Sequence, residues 1–389
     1  MKFLLWSRGA SKVHFSGPVE IVEHLRHHYR DTATGRFDAE IMGAKIYEHP
    51  FEVLPCPADS LPLESEMTAP LGKHWEGCRI GFDLGASDRK VAAVKDGNVV
   101  FSDEIPWDPR QESDPKWHFD QIMDALRCAA AHLPRVDAIG GSSAGVYVNN
   151  QVKVASLFRG VPEPLFQSRI KNLFLDLKKA WNEIPFEVVN DGEVTALAGA
   201  MSLKDTAVLG IAMGSSQAAG YVNAEGNITS WLNELAFAPV DYNPAAAPDE
   251  WSGDYGCGVQ YFSQQAVARL LPASGLKIQP SLPLPEKLIA VQDAMAAGDE
   301  RAAAIYDTIG AYLGYTIPHY AQFYEFSNLL LLGRVTTGPG GEMIVRKAEA
   351  ILAEEFPDLA SRIRIHMPDE KEKRHGQAIA AASLPAISR

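Results

Sequence analysis

Arg79-Ile80-Gly81-Phe82-Asp83-Leu84-Gly85-Ala86-Ser87-Asp88-Arg89-Lys90-Val91-Ala92-Ala93-Val94-Lys95-Asp96-Gly97-Asn98 is the stretch from which the fold can be read. Arg79 to Asp83 reads as a strand, Gly85-Ala86-Ser87-Asp88 as a turn and Lys90 to Lys95 as a second strand. Asp96-Gly97 is a two-residue hairpin signal, because both positions tolerate positive φ, and Asn98 to Phe101 continues as a third strand. The same unit returns over residues 207 to 229. Ala207 to Met213 reads as a strand, Gly214-Ser215-Ser216-Gln217 as a turn, Ala218 to Val222 as a strand and Glu225-Gly226-Asn227 as a hairpin turn. Gly85, Ser87, Gly97 and Asn98 recur as Gly214, Ser216, Gly226 and Asn227 at one constant offset. A whole unit repeated in register suggests two lobes of related topology; two unrelated hairpins are the plain alternative.

Around these units the text is α/β. Trp117 to Leu133 has apolar residues at helical spacing, Val136 to Ile139 reads as a buried strand, and Phe186 to Val189 is another strand running into Asn190-Asp191 and an alanine-rich helix. The apolar run Asn328 to Leu332 feeds the glycine-rich stretch Gly333 to Glu342, after which an amphipathic helix begins. Strand, glycine loop and helix N-terminus are a common nucleotide-binding arrangement, and equally a plain strand-to-helix connection. Residues 1–75 differ in texture: a histidine-rich helical stretch, Val22 to Tyr29, precedes turn-rich sequence with Pro55, Pro57, Pro62 and Pro70. They read as an accessory extension, without a compact helix-turn-helix pattern and without a basic character.

The chain has 389 residues, enough for two or three domains and for a core needing no staples. Its 36 basic and 49 acidic residues give a net charge of -13, a field that repels nucleic acid and anionic membrane. Any phosphate site must therefore be local. Phe3-Leu4-Leu5-Trp6 is too short for a signal-peptide core, no stretch approaches a membrane span, and the four cysteines contain no Cys-x-x-Cys pair. The expectation is a cytoplasmic protein with reduced thiols.

A glycine- and serine-rich turn between antiparallel strands exposes backbone N–H groups with no side chain in the way, which suits phosphate oxygens. Two such turns on two lobes could clamp a nucleotide polyphosphate. Asp83 puts a carboxylate beside the first turn, and a carboxylate beside phosphates calls for a cation between them, normally Mg²⁺.

From about Arg79 to the end, some four fifths of the chain, the sequence resembles the ROK sugar-kinase family of the actin-like ATPase superfamily. Asp83-Leu84-Gly85-Ala86-Ser87-Asp88-Arg89-Lys90 is similar to the first phosphate motif. Ala138 to Val146 resembles the sugar-side segment, and Val189-Asn190-Asp191-Gly192-Glu193 the Asn-Asp motif before an alanine-rich helix. Gly214 to Gln217 stands where the second phosphate motif belongs, Gly333 to Gly341 where the adenosine motif belongs, and Gly376 to Ala381 matches the closing helix. The resemblance implies a two-lobed, ribonuclease H-like α/β fold with an interlobe cleft plus the N-terminal extension. The lobes are a small one over 76–190, joined by a C-terminal helix over 372–389, and a large one over 191–371.

It further implies ATP-dependent phosphorylation of a sugar or polyol hydroxyl, with ATP and Mg²⁺ bound. Asp191 is the candidate base; an ordinary helix N-cap is the alternative its position also permits. Amide bonds at a helix start would make it a weaker base, which a loose phosphoryl-transfer transition state tolerates. Asn190, Glu234, Ser143 and Gly145 are candidates for holding the sugar. Asp83 would organise the magnesium ion indirectly, and Gly85, Ser87, Gly214, Ser215, Ser216, Gly333 and Gly338 would hold the nucleotide. Tyr147, Asn149 and Asn150 read as ordinary strand and turn residues. A homodimer is the expectation by analogy with similar proteins.

The sequence also departs from the family. The histidine of the Gly-Glu-x-Gly-His sugar motif falls on Phe237, the second glutamate falls on Val259 or Gln260, and the zinc segment is reduced to Gly256-Cys257-Gly258. One cysteine without a nearby histidine cannot fill a tetrahedral site, so no structural zinc is expected. Phe237, Tyr242, Trp251, Tyr255 and Tyr261 gather there instead; they read as a replacement core, or as stacking platforms for a sugar. These losses keep alive a second reading, a non-catalytic sugar or nucleotide sensor on the same fold.

Overall fold

The computed structural model describes residues 1–63, 68–69, 72–368 and 370–387. Pro70 and the last two residues of the expected C-terminal helix lie outside them. The chain folds into two compact units, one formed by Met1–Met67, Thr206–Ala219 and Ser230–Met367, the other by Thr68–Asp205, Gly220–Thr229 and Pro368–Arg389. No helix of the described residues is long and apolar enough to cross a membrane.

The unit containing residues 68–205 is organised by a five-stranded sheet. Its strands are β1 (Cys78–Leu84), β2 (Asp88–Lys95), β3 (Asn98–Pro106), β4 (Ala138–Ser143) and β5 (Phe186–Asn190), in the order β5-β4-β1-β2-β3. β1 pairs antiparallel with β2 and parallel with β4, which pairs parallel with β5. All seven residues of β1 are buried. A strand covered on both faces has no solvent side, so its apolar residues run on where an edge strand would alternate. One side of its core holds Phe82 near Phe174 and Phe186, with ring centroids 6.0 and 6.1 Å apart.

The C-terminal helix Glu370–Ala382 lies against β1, β2 and β4. Two glycines paired across β1 and β4, Gly81 and Gly140, make that contact possible. A Cβ on Gly81 would run into the Ala378 carbonyl oxygen, and one on Gly140 into that of Ala381. Arg79, fully buried, closes the arrangement by donating to the Pro385 carbonyl at 2.7 Å and to the Glu76 carbonyl at 2.8 Å.

The second set of strands is β6 (Val208–Met213), β7 (Gln217–Val222), β8 (Ile228–Thr229), β9 (Asn328–Leu332) and β10 (Arg364–His366), in the order β10-β9-β6-β7-β8, with Thr68–Ala69 added at the edge. β6 pairs parallel with β9 and β9 with β10, while β7 pairs antiparallel with β8. Both sheets thus share one plan: the first strand in the middle, a hairpin to one side and two later strands to the other. That is the duplicated topology the repeated strand-turn-strand unit predicts.

The turns themselves differ in geometry. The Asp96-Gly97 hairpin has both residues at positive φ, 48° and 79°, whereas the second loop is closed by Asn223 N–H on the Asn227 carbonyl and carries positive φ at Gly226. Helices Glu300–Tyr320 and Gly338–Glu355 pack against each other. Of the glycine-rich stretch after β9, only the first part is loop. A short 3₁₀ turn spans Arg334–Thr336, and the helix already starts at Gly338, with Pro339 in its first turn where no N–H partner is needed.

Residues 1–63 add a short helix Lys2–Arg8, helices Val19–Asp31 and Ala33–Ala39, a π-helix Glu40–Tyr47, and a two-stranded parallel pair, Lys12–Phe15 with Glu52–Pro55. The first helix buries Phe3, Leu5, Trp6 and Ser7. Trp6 Nε1 donates to Asp38 at 3.0 Å, and Lys2 bridges Asp38 at 3.2 Å and Asp254 at 2.5 Å.

Candidate active site

Three adjacent parallel strands, β1, β4 and β5, end in register. Asp83 pairs with Ser142, Leu84 with Ser143, and Ser143 with Asn190 on the far side. The carboxyl ends of parallel strands are where open α/β sheets hold ligands. Here they carry Asp83, Ser142-Ser143 and Asn190-Asp191.

Asp83 is 4% exposed. Its Oδ1 accepts from Ser142 at 2.6 Å, and its Oδ2 lies 3.6 Å from the Lys90 ammonium, which also sits 3.1 Å from Asp88. Burial pushes the Asp83 carboxyl above its ordinary range, against the pull of Lys90 and Ser142. Lys90 arrives beside it because β1 and β2 are antiparallel and place the two residues directly opposite each other. A buried carboxylate with a hydroxyl neighbour offers the hard oxygen chemistry that magnesium prefers, and magnesium commonly binds through one or two carboxylates plus substrate phosphates. Asp83 fits that role.

Asp191 opens the helix Asp191–Leu203 with no intervening loop after β5. The N-cap is Asn190: its Oδ1 accepts from Gly192 N–H at 2.7 Å, and Asp191 Oδ1 accepts from the same N–H at 3.0 Å. Hydrogen bonds from Gly192 N–H and from its own N–H lower the Asp191 pKa, but burial and then the charge of Asp83 outweigh them and lift it to about 6. The weaker base expected from a helix start is thus reversed by the surroundings, because a charge removed from water loses more than two amides return.

Asn190 is committed at both ends, since its Nδ2 donates to the Gly145 carbonyl at 2.7 Å. Gly145 has φ 137°, and a Cβ there would strike the Val154 carbonyl oxygen at 2.6 Å. The loop after β4 therefore closes onto the end of β5 only with glycine at this position. Ser143 is fully buried, with its hydroxyl 2.7 Å from that of Tyr147. Tyr147 was not distinguished by the sequence from any strand residue, yet burial and the Asp191 charge both raise its phenol pKa. Its spacing of four from Ser143 across a tight turn is the only local sign. Asn149 and Asn150 are the positive-φ residues of that hairpin, at 51° and 61°. Asn150 does more: its amide donates to the Phe186 carbonyl at 2.8 Å and accepts from Val188 N–H at 2.7 Å, pairing the free edge of β5.

Gly85 closes the first glycine turn, donating to the Asp88 carbonyl at 2.9 Å, while its own carbonyl accepts from Trp107 Nε1 at 2.8 Å. Ser87 is exposed at the tip, with its hydroxyl 2.8 Å from Asp88. All of these residues belong to one unit.

The remaining candidates belong to the other unit. Gly214 donates to the Ser216 carbonyl and accepts from Gln264 N–H, both at 2.9 Å, and Ser215 and Ser216 are exposed. Gly333 (φ 95°) ends β9, and Gly338 (φ 68°) opens the following helix with free space around its Cα. Glu234 is half-buried, and its N–H donates to the Trp6 carbonyl at 2.9 Å.

The five aromatics do not form one replacement core. Tyr261 is buried and Phe237 half-buried, but Tyr242, Trp251 and Tyr255 are 68%, 61% and 52% exposed. Ala236, Cys257 and Val259 fill the interior of that loop, with Phe237 packed on them. Phe237 in turn packs at a tilt against Trp6 of the N-terminal helix, ring centroids 4.4 Å apart, and edge-on against Trp251 at 5.4 Å, so one of its aromatic partners comes from outside the segment. Burial pushes the Cys257 thiol up to about 12. Among the described residues no group of three or more His, Cys, Asp or Glu is arranged to hold a metal ion.

No family model and no curated protein matches the sequence. Solved structures do match the fold. A ROK hexokinase from Thermus thermophilus superposes with a TM-score of 0.62 at 15% identity, covering 79% of this chain and 97% of that one. A ROK glucokinase from Streptomyces griseus, solved with glucose and AMPPNP, gives 0.59 at 17%, covering 79% and 99%. A ROK transcriptional regulator, a homologue of the E. coli MLC protein, gives 0.61 at 19%, covering 79% and 78%. The fold is that of the ROK sugar kinases and regulators.

Proposed function

We propose that this protein is an ATP-dependent kinase that phosphorylates a hydroxyl group of a hexose or related polyol. The reading is carried by Asp191, a carboxylate with a pKa near 6 at the end of a parallel strand, in the field of a second buried carboxylate, Asp83. A group with that pKa is ionised at neutral pH yet basic enough to accept a proton as the transfer proceeds.

Asp191 takes the proton of the acceptor hydroxyl while that oxygen attacks the γ-phosphorus of ATP, and the bond to the ADP oxygen breaks. Asn190 holds Asp191 in place through the helix cap and the loop after β4 through Gly145; its amide keeps a second lone pair and a second N–H for sugar hydroxyls. Ser143 and Gly145 are the further acceptor candidates of this unit, and Glu234 is the acceptor candidate of the other. The turns at Gly85–Ser87 and Gly214–Ser216 take phosphates, and Gly333 and Gly338 take the adenosine. Asp83 would hold magnesium, which when bound neutralises charge on the transferring phosphoryl group.

The test is sugar-dependent ADP release across hexoses, aminosugars and polyols, with Asp191→Asn as control. Turnover with at least one sugar, abolished in Asp191→Asn while nucleotide binding persists, supports the kinase. Phe237 in the place of a histidine, with Val259 and Gln260 buried in the place of a carboxylate, favours a sensor as the second reading. Sugar binding by calorimetry without any stimulated ADP release establishes that reading instead.

A further inference from the structure

We propose that the N-terminal helix Lys2–Arg8 is a positioning element for the acceptor-side carboxylate Glu234, with Arg8 as its key side chain. The inference rests on the reading of Glu234 as an acceptor ligand given above. The last carbonyls of any helix lack partners within the helix and must find them elsewhere. In this helix the carbonyls of Trp6 and Ser7 find them on the Glu234 segment. Glu234 N–H donates to Trp6 at 2.9 Å and Asn233 N–H to Ser7 at 3.0 Å. Two consecutive backbone bonds fix both the height and the direction of the chain on which Glu234 sits.

Arg8 fastens the other end of the same segment. Its guanidinium lies over the Trp231 ring, 2.9 Å from the centroid, and donates to the Phe323 carbonyl. Tyr324, the next residue, is 5.4 Å from the guanidinium and donates its hydroxyl to Asn233 Oδ1 at 3.0 Å. Asn233 itself is held at φ 54°, a conformation that needs support from its neighbours. The helix is in turn pinned by Lys2 and Trp6 on Asp38, by Lys2 on Asp254, and by Phe3 stacked on Phe323 at 4.1 Å. The segment that carries the acceptor carboxylate is thus built against residues 2–8, where a metal loop has been reduced to Cys257.

The test compares the full-length parent with Arg8→Ala, Arg8→Lys, Glu234→Ala and Arg8→Ala/Glu234→Ala. Amide hydrogen exchange is read over residues 231–237, and KM is measured for ATP and for D-glucose, D-mannose, N-acetyl-D-glucosamine and N-acetyl-D-mannosamine. Arg8→Ala is expected to speed exchange in 231–237 about tenfold and raise the KM of the sugar that is turned over about tenfold, leaving the ATP KM within about twofold. Arg8→Lys restores most of both effects, because an ammonium still donates to Phe323 and still sits over Trp231. In the Glu234→Ala background, Arg8→Ala adds less than about twofold to the sugar KM. Unchanged exchange over 231–237, an equal rise in both KM values, or a full effect persisting without Glu234 each overturns the proposal. If Glu234→Ala leaves the sugar KM unchanged while Arg8→Ala still speeds exchange, the acceptor role of Glu234 is what has failed; the anchoring stands and its link to affinity falls. Should Arg8→Ala not fold, Trp231→Leu removes the same contact and is read in the same way.

Discussion

Asp83 raises the pKa of Asp191 although a whole strand separates them in the sheet. The two carboxylates sit at the ends of β1 and β5, with β4 and its Ser142-Ser143 pair between. Coulombic coupling at that separation survives because Asp83 is buried and Asp191 is half-buried. The relationship makes the site costly to keep ionised.

Folding raises the Asp191 carboxyl from its ordinary 3.8 to about 6. The native state therefore binds more protons than the unfolded chain between these values, and stability falls as pH rises from about 4 to about 6. The ionised group costs roughly 3 kcal/mol at neutral pH by this shift. Asp191→Asn is expected to be inactive yet more stable than the parent at pH 7, with the gain shrinking to nothing near pH 4. Melting temperatures of both proteins across pH 4 to 8 check it; a variant that is less stable at pH 7 refutes the assignment.

Lys90 is the cation nearest Asp83. Its own pKa is raised: burial pulls it down, and the charges of Asp83 and Asp88 more than compensate. Removing one member of a buried pair leaves the other uncompensated, which typically costs about 3–5 kcal/mol. Lys90→Met should lose about that much in urea unfolding, and Lys90→Met/Asp83→Asn should recover most of it. A double variant as unstable as the single one would show that Lys90 stabilises through its packed methylenes and not its charge.

Asn190→Ala removes the cap of the helix Asp191–Leu203 and the tie to Gly145 together. A lost cap is worth about 1 kcal/mol, and a lost buried hydrogen bond a similar amount. The expected loss is about 2 kcal/mol, whereas Asn190→Asp, which still caps, should lose about half of it. Denaturant midpoints separate the two variants.

The close contact of the terminal helix with β1 and β4 predicts that Gly81→Ala and Gly140→Ala are far more damaging than a methyl group suggests. In each the new Cβ meets a backbone carbonyl oxygen, which cannot swing aside as a side chain can. Overpacking ordinarily costs about 1–3 kcal/mol, and these substitutions should reach or exceed the upper end. Protease cleavage of residues 370–382, measured against a tenfold range of enzyme, should be faster in both variants.

The duplicated plan was legible in the residues because hairpin chemistry is local. Asp96-Gly97 takes positive φ at both positions and turns the chain wherever it occurs between strands. Glycine spacing alone did not carry the geometry of its counterpart: Gly226 stands at the matching position, but the loop there is wider. The aromatic segment departs from its expectation for a related reason. Counting Tyr242, Trp251 and Tyr255 as core assumes that apolar residues in one segment bury each other, whereas here all three stay largely exposed and the nearer partner of Phe237 is Trp6, far away in sequence.

What the sequence determined by itself is the order of strands and turns, the position of Asp191 directly after a buried strand, and a net charge of -13 that confines any phosphate site to a small region. Each depends on interactions between residues a few positions apart, or on a sum over all of them. What only the tertiary structure decided is that Asn190 and not Asp191 is the cap, that Asp191 has a pKa near 6, and that the Glu234 segment rests on residues 6–8. The last two depend on desolvation and on backbone partners more than two hundred residues apart, and neither is encoded in local spacing: a charge's cost is set by whatever removes its water, and a helix end takes whichever donor the fold brings to it.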